Sequence, residues 1–454
     1  MGRQFRKGKG KLGQRVDSHW KEIVRENAQW ELFYKTQGII PENEFEIFKK
    51  TCQENLPLTF RITGNKNHAK EISKLFINNH IPKLSNIDNA KPFAFPWYPN
   101  NLGFQIDLPK SEIKKNPNYS STQQFLVIET EVGNISRQEA VSMIPPIVLD
   151  VKSNHKVLDM CAAPGSKTSQ LVESLHSGNE QPTGFVMAND SDYRRSHMLV
   201  HQVKRFNSPN FIVVNHDAQL FPKIKLNNEW LKFDRILCDV PCTGDATMRK
   251  NVTVWKDWKI GNSLGLHPLQ LNILLRGLQL LKKGGRLVYS TCSMNPLENE
   301  AVIATALKKF NGQVKIIDCK NLLPGLITHP GLTNWEVFGK DMKIKDKLDD
   351  SHGMLKSLFV PDDVENLGLE NCMRVYPHDQ NTGGFFITVL EKIDDVKENG
   401  KRVNEEEEEA TKKQKVEVDA TQPAPATEQP QTTEQPQQPP KELKHVKQNK
   451  TKLP

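Results

Sequence analysis

At 454 residues, 37% hydrophobic and with a net charge of +8 at pH 7, the chain is long enough for two or three domains, and its modest basic excess favours an acidic partner such as nucleic acid. No run of about 18 apolar residues and no apolar N-terminal segment is present, which argues against a helical membrane span and a secretory leader. The seven cysteines are scattered without a Cys-x-x-Cys pair, the pattern of reduced thiols in an intracellular protein rather than of a disulfide framework or a metal site.

Residues 1–15 hold six Lys or Arg and no acid. Such a run reads as an arm that contacts phosphate or serves nuclear import, or as a solvated tail with neither role. Trp20, Ile23, Val24, Trp30 and Phe33 then suggest an amphipathic helix whose aromatics enter a core. Strands are expected at 58–62 and 102–106, with a helix at 69–79 between them and an irregular Pro-rich connection around Trp97 and Tyr98. Residues 138–150 look helical but interrupted by Pro145-Pro146.

The stretch from 156 to 168 organises the rest of the chain. Residues 156–160 read as a short buried strand, and Ala-Pro-Gly at 163–165 breaks any regular structure. From Lys167 a helix starts, with Leu171, Val172 and Leu175 on one face. A strand, a tight small-residue loop and a helix form half of a nucleotide-type site. The loop is not a phosphate-binding P-loop, since Ser166 and not Gly precedes Lys167, and one glycine is too few for a dinucleotide fingerprint. Further strands are expected at 185–190, 211–214, 235–238 and 286–289. With the first, they deliver Asp159, Asp190, Asp217 and Asp239 at or near their C-terminal ends, and then the Cys292 loop. In an open parallel sheet those ends line the ligand crevice. The helix at 192–204 has a basic face of Arg194, Arg195, Lys204 and Arg205, either solvated or facing RNA phosphates. Helices at 268–281 and 298–309 follow. Residues 314–317 and 385–390 would complete the sheet as a terminal pair, and 319–380 read as substrate-side loops with short helices. Beyond 394 the Glu, Pro, Gln and Lys composition cannot pack a core.

Three motifs carry a resemblance: Asp-x-Cys-Ala-Ala-Pro-Gly-Ser-Lys-Thr at 159–168, Asp-x-Pro-Cys-Thr-Gly at 239–244 and Ser-Thr-Cys-Ser at 290–293. Together with the stretches at 134–146, 213–217, 248–251 and 381–386, they resemble the Sun-domain (NOL/NOP/Sun) RNA cytosine-5 methyltransferases, in particular their eukaryotic tRNA-modifying branch. The resemblance implies an α/β fold: a Rossmann-like class I methyltransferase sheet with an antiparallel last strand, preceded by a smaller α/β domain. The implied organisation is a basic arm at 1–15, an N-terminal α/β RNA-binding region at 16–137, a methyltransferase domain at 138–394 and a low-complexity tail at 395–454. Members of this kind carry a further folded C-terminal domain, which the tail does not resemble. A monomer is expected, without metal, in the nucleus or nucleolus, with the cytoplasm as the alternative.

Cytosine carbon 5 is a poor nucleophile, so covalent activation by a thiolate at carbon 6 is the chemistry to look for. Cys242 and Cys292 compete for that role, and the residues alone leave the choice open. Cys52, Cys319 and Cys372 read as buried apolar thiols. The resemblance assigns attack to Cys292 and product release to Cys242. It also implies S-adenosyl-L-methionine as methyl donor. Cys161, Ala162, Ala163, Pro164, Gly165, Ser166 and Lys167 would wrap its methionine part, Asp190 its ribose and Asp217 its adenine. Asp239 would border the cofactor and bind the target cytosine, with Lys167 supporting the same base. Ala246 departs from the Gly found in many members. Ribosomal or messenger RNA as substrate, and a non-catalytic RNA-binding paralogue, are the alternatives.

Overall fold

The computed structural model describes residues 23–85, 90–178, 181–347 and 353–394. The expected arm at 1–15, Trp20 and the tail at 395–454 lie outside the described residues. Both sheets and the cleft belong to one compact unit. Among the described residues no helix is long and apolar enough to cross a membrane.

A small antiparallel sheet comes first, built from β1 (Pro57–Ile62), β2 (Phe93–Ala94), β3 (Gly103–Pro109) and β4 (Ile135–Arg137) in the order β2-β3-β1-β4. Phe60 and Phe104 on this sheet meet Phe76, and Phe76 in turn meets Phe125 of the helix Ser120–Glu131, so helices close one face. The sheet is tied to its neighbour by a buried ion pair. Arg61 of β1 donates to Glu173 at 2.5 Å and to Gln138 Oε1 at 2.9 Å. Glu173 lies on the helix Ser166–Leu175, and Arg61 is fully buried.

The large sheet contains β5 (Lys156–Asp159), β6 (Phe185–Asn189), β7 (Phe211–Val214), β10 (Phe233–Asp239), β11 (Leu281–Thr291), β12 (Val314–Ile316), β13 (His329–Pro330), β14 (Met373–Val375) and β15 (Phe385–Lys392); a separate hairpin supplies β8 (Lys225–Leu226) and β9 (Glu229–Trp230). Its order is β13-β14-β15-β11-β10-β5-β6-β7. The five strands from β7 to β11 run parallel, and β15 runs antiparallel to β11. Val157, Leu158, Ile236, Leu237, Leu287 and Val288 are fully buried, as the apolar runs of a sheet covered on both faces require.

Several boundaries differ from the sequence expectation. Strands 314–316 and 385–392 pair antiparallel as expected, but they do not end the sheet alone: β14 shares the same edge of β15 with β12, end to end, and β13 pairs beyond it. Pro145 and Pro146 do not interrupt a helix but open one, Ile144–Leu149, where a missing N–H costs nothing. The helix expected at 268–281 starts earlier, Ile260–Leu280, with Pro268 inside it. Burial of Ile260, Leu264 and His267 outweighs the one hydrogen bond that proline removes. Its Gly284-Gly285 end is absorbed into β11.

The helices Ala28–Gln37 and Glu42–Gln53 pack on the large sheet's core rather than with the small sheet. Trp30 meets Trp255 at 5.2 Å between centroids and stacks on Phe48, while Phe33 meets Phe338 at 5.2 Å. Segment 319–380, expected as substrate-side loops, supplies Trp335, Phe338, Leu358 and Leu369 to the same core. Trp30→Ala should therefore destabilise the protein by about 3–5 kcal/mol, read by urea unfolding. Val24→Ala, at a side chain 69% exposed, should change stability by less than about 0.5 kcal/mol.

Candidate active site

The loop after β5 is held from two sides. Thr168 Oγ1 donates to Asp159 Oδ2 at 2.8 Å, Ala162 N–H to the Asn189 carbonyl at 2.7 Å and Ala163 N–H to Asp190 Oδ2 at 3.1 Å. Gly165, at φ +109°, turns the chain into its helix; a Cβ there would lie 2.9 Å from Leu199 Cδ1. Asp159 is buried, and its Oδ1 has no hydrogen-bond partner among the described residues. Burial raises its pKa to about 7.

A cleft of about 720 Å³ opens over this loop, lined by Cys161–Lys167, Asp159, Asp239, Cys292, Glu139 and Gly383–Phe385. That volume suits a small-molecule ligand. Lys167 Nζ donates to Asp239 Oδ2 at 2.7 Å and to Ser142 Oγ at 2.9 Å, and Ser290 Oγ donates to Asp239 Oδ1 at 2.8 Å. Burial disfavours the charged form of Lys167, yet the adjacent Asp239 carboxylate outweighs it and raises the ammonium's pKa. Burial also pushes up the Glu139 carboxyl, which accepts from Gly383 N–H at 3.0 Å.

The two motif cysteines meet. Cys242, from the loop after β10, and Cys292, from the loop after β11, stand 3.3 Å apart at sulfur. The shared hydrogen bond with Cys292, then burial, hold the Cys242 thiol well above its ordinary pKa. Behind them a single carboxylate ties both loops. Glu298 accepts from Thr243 N–H at 2.9 Å, Thr243 Oγ1 at 2.6 Å, Ser293 Oγ at 2.9 Å, Ser263 Oγ at 3.0 Å and Gln270 Nε2 at 2.9 Å. Asp245 accepts from Met294 N–H at 2.9 Å, from Trp258 Nε1 at 3.3 Å and from the Tyr34 hydroxyl. Burial raises the pKa of both carboxyls. Ala246 bridges the loops through its N–H to the Cys292 carbonyl at 3.1 Å and its carbonyl to Gly384 N–H at 3.2 Å.

Of the residues singled out from sequence, Cys161 to Lys167, Asp239 and Cys292 line the cleft, and Cys242 touches Cys292. Asp190 lies behind the loop, 3% exposed, bonded to Ala163 and Asp192 N–H and 3.5 Å from Arg195. Asp217 is exposed at the end of β7 and bonds its own neighbour Gln219; neither lines the cleft. Cys52, Cys319 and Cys372 are buried. Sequence reasoning missed Glu298, Asp245, Glu139 and Ser142. An acid at the start of a helical stretch, as Glu298 is, reads as a helix-end charge; the partners that reveal its role are remote in the chain.

A parallel sheet with a reversed last strand, carrying two cysteines and a lysine–aspartate pair at its C-terminal edge, defines a class I methyltransferase. The profile of a family described as 16S rRNA methyltransferase RsmB/F matches residues 146–326. The chain is 57% identical over 411 residues to a multisite-specific tRNA:(cytosine-C(5))-methyltransferase of Saccharomyces cerevisiae, covering 87% of this chain and 60% of the relative. It is 34% identical to a tRNA (cytosine(49)-C(5))-methyltransferase of Pyrococcus abyssi, covering 59% of this chain and 73% of the relative. Among solved structures, a methyltransferase homolog protein from Pyrococcus horikoshii aligns with a TM-score of 0.56 at 27% identity, over 79% of this chain and 93% of the other. The chain belongs to the Sun-domain (RsmB/F) family of RNA cytosine-5 methyltransferases. It spans 60%, 62% and 56% of the length of three of its eukaryotic relatives.

Glu298→Ala strands buried donors on both cysteine loops and should cost roughly 3 kcal/mol or more. Glu298→Gln keeps one acceptor oxygen and should cost less; equal urea midpoints for wild type and the alanine variant would refute the clamp. Asp159 gives a pH test. Its folded pKa is raised above the unfolded value, so the native state binds the extra proton. Its contribution is complete below about pH 4 and is lost as pH rises through about 7. Asp159→Asn should flatten the fall in stability over this window, by up to about 1.4 kcal/mol per pH unit, read by urea unfolding at a series of pH values.

Proposed function

We propose that the chain transfers a methyl group from S-adenosyl-L-methionine to carbon 5 of cytosine in RNA, with tRNA as the substrate and the monomer as the working unit. The observation that carries this reading is the meeting, at one cleft, of two cysteine sulfurs 3.3 Å apart with the Lys167–Asp239 pair at 2.7 Å. The methyl donor fits the residues present. The cleft wall at Cys161–Ser166 is small-residue backbone, and the Asp159 carboxyl on the same lining, its Oδ1 without a hydrogen-bond partner among the described residues, suits an ammonium group. In this reading Asp190 and Asp217, just past the C-terminal ends of β6 and β7, take the ribose and the adenine, outside the cleft lining itself. When bound, S-adenosylmethionine supplies a methyl group made electrophilic by its sulfonium.

The protein's own groups do the rest. The target base leaves its stack to enter the cleft. The Cys292 thiolate bonds to carbon 6, and the ring electrons displaced by that bond make carbon 5 nucleophilic. The Lys167 ammonium meets the negative charge that develops on the ring, and the Asp239 carboxylate accepts a hydrogen bond from the cytosine amino group. After carbon 5 is methylated the Cys242 thiolate takes its proton, the electrons of that C–H bond re-form the ring double bond, the carbon–sulfur bond breaks and Cys292 leaves as a thiolate. Cys242, in contact with Cys292, assists that release. Ribosomal RNA is the second reading, favoured by the description of the matching family.

Cys292→Ala should abolish methyl transfer and form no adduct. Cys242→Ala should accumulate a covalent protein–RNA complex stable to denaturing electrophoresis. An active Cys292→Ala enzyme would overturn the assignment. Labelling deproteinised tRNA, ribosomal RNA and messenger RNA separately with radioactive methyl donor decides the substrate; label confined to ribosomal RNA would replace tRNA by the second reading.

A further inference from the structure

The charges lining the cleft are sorted by depth. On its floor, Lys167 is neutralised by Asp239 at 2.7 Å, and Asp159 and Glu139 add carboxyls. Arg249, 3% exposed, donates to the Thr382 carbonyl at 2.7 Å, Asn381 Oδ1 at 2.6 Å and the Asn55 carbonyl at 3.2 Å, so its donors are directed at the protein. The remaining charged lining residues are Lys110, Arg137 and Lys250. All three are exposed, and none makes a side-chain hydrogen bond or ion pair among the described residues.

These three cations come from separate segments, each fixed by buried neighbours. Lys110 follows Pro109, which is paired with Pro57 across the small sheet. Arg137 ends β4 opposite Phe60, and the next residue, Gln138, is bound by the buried Arg61. Lys250 adjoins the anchored Arg249 and donates its own N–H to the Thr247 carbonyl at 2.8 Å. Their backbone positions are therefore set, while their side chains face solvent around the opening that leads to Cys292.

We propose that Lys110, Arg137 and Lys250 form a phosphate-binding rim that holds the RNA backbone on either side of the nucleotide inserted in the cleft. The rim rests on the proposed RNA methyltransferase activity. A nucleotide turned out of its stack sends its base inward and leaves its phosphodiesters at the mouth. The floor offers phosphate no unpaired cation, since Lys167 is taken by Asp239, whereas the cations at the rim are free to attract it. The same sorting lets the neutral base pass inward while the polyanion stays outside.

The test is the salt dependence of tRNA binding. Filter binding of unmodified tRNA transcript across about 50–200 mM KCl should show each of Lys110→Ala, Arg137→Ala and Lys250→Ala reducing the slope of log affinity against log salt by about 0.7–0.9, and the triple variant by about 2–3. Calorimetric affinity for S-adenosylmethionine should stay at the wild-type value. Lys308→Ala, which removes a cation paired with Asp363 at 2.7 Å and absent from the cleft lining, is the control. Unchanged slopes in the rim variants, or an equal change in Lys308→Ala, would overturn the rim while leaving the methyltransferase reading intact. Wild-type protein that binds no tRNA would overturn both.

Discussion

Asp239 lies opposite Ser290 in the parallel ladder between β10 and β11, and the site depends on that register. Strands paired this way run about 4.8 Å apart, so loops leaving the same end begin as neighbours and Cys242 and Cys292 arrive in contact. A slip of one residue would turn Asp239 to the other face of the sheet. It would then lose Ser290 and Lys167 together. The antiparallel β15 adds the third wall from the other side of β11. Its approach needs Gly384, where a Cβ would lie 2.9 Å from Ala246 Cβ and 3.0 Å from Met294 Sδ.

Loops placed by register still have to be kept in place, and here that falls to buried polar groups. Glu298 serves donors from both cysteine loops, and Asp245 joins the second of these loops to Tyr34 near the start of the described chain. Arg249 joins the segment after Cys242 to residues 54–55 and 381–382. Such groups are costly to bury alone, and they hold geometry because losing any partner is penalised. The helices at 28–53 therefore do more than cover the sheet. Through Tyr34 and Asn55 they reach the loops that carry the chemistry.

What was legible in the sequence is what local pattern encodes. Apolar runs marked five parallel strands, four ending at or near an acid and the fifth running into the Cys292 loop, and two short motifs marked the loops with Cys242 and Cys292. Lys167 and Asp239 were legible as residues, while their contact was implied only by resemblance. Contacts between remote segments carry no local signal. Glu298 reads as an ordinary helix-start acid, and its partner Ser263 stands in a stretch read as the approach to a helix starting at Pro268. The aromatics at 335 and 338 look like loop residues until Phe338 is placed against Phe33 and Trp335 in the same core. Burial of Ile260 and Leu264 extended a helix through a proline that local rules treat as a boundary. Asp190 and Asp217 were legible as strand-end acids, but the pattern could not show that one is engaged by its own loop and the other exposed.

The contact between the two sulfurs divides their labour under the proposed mechanism. While both are thiols or one is a thiolate, they share a proton, and that shared bond is the largest of the upward pushes on the Cys242 pKa. Cys242 thus stays protonated and its S–H is free to stabilise a thiolate on Cys292, the form that attacks. Once Cys292 is bonded to carbon 6 its sulfur is a neutral thioether. It can no longer hold the shared proton or repel a second negative charge. The shared bond, the largest of the upward pushes on Cys242, is then gone, while burial remains. With the shared bond gone, Cys242 can release its own proton to solvent and, as a thiolate, take the proton from carbon 5, so the 3.3 Å contact orders the two steps under the proposed mechanism.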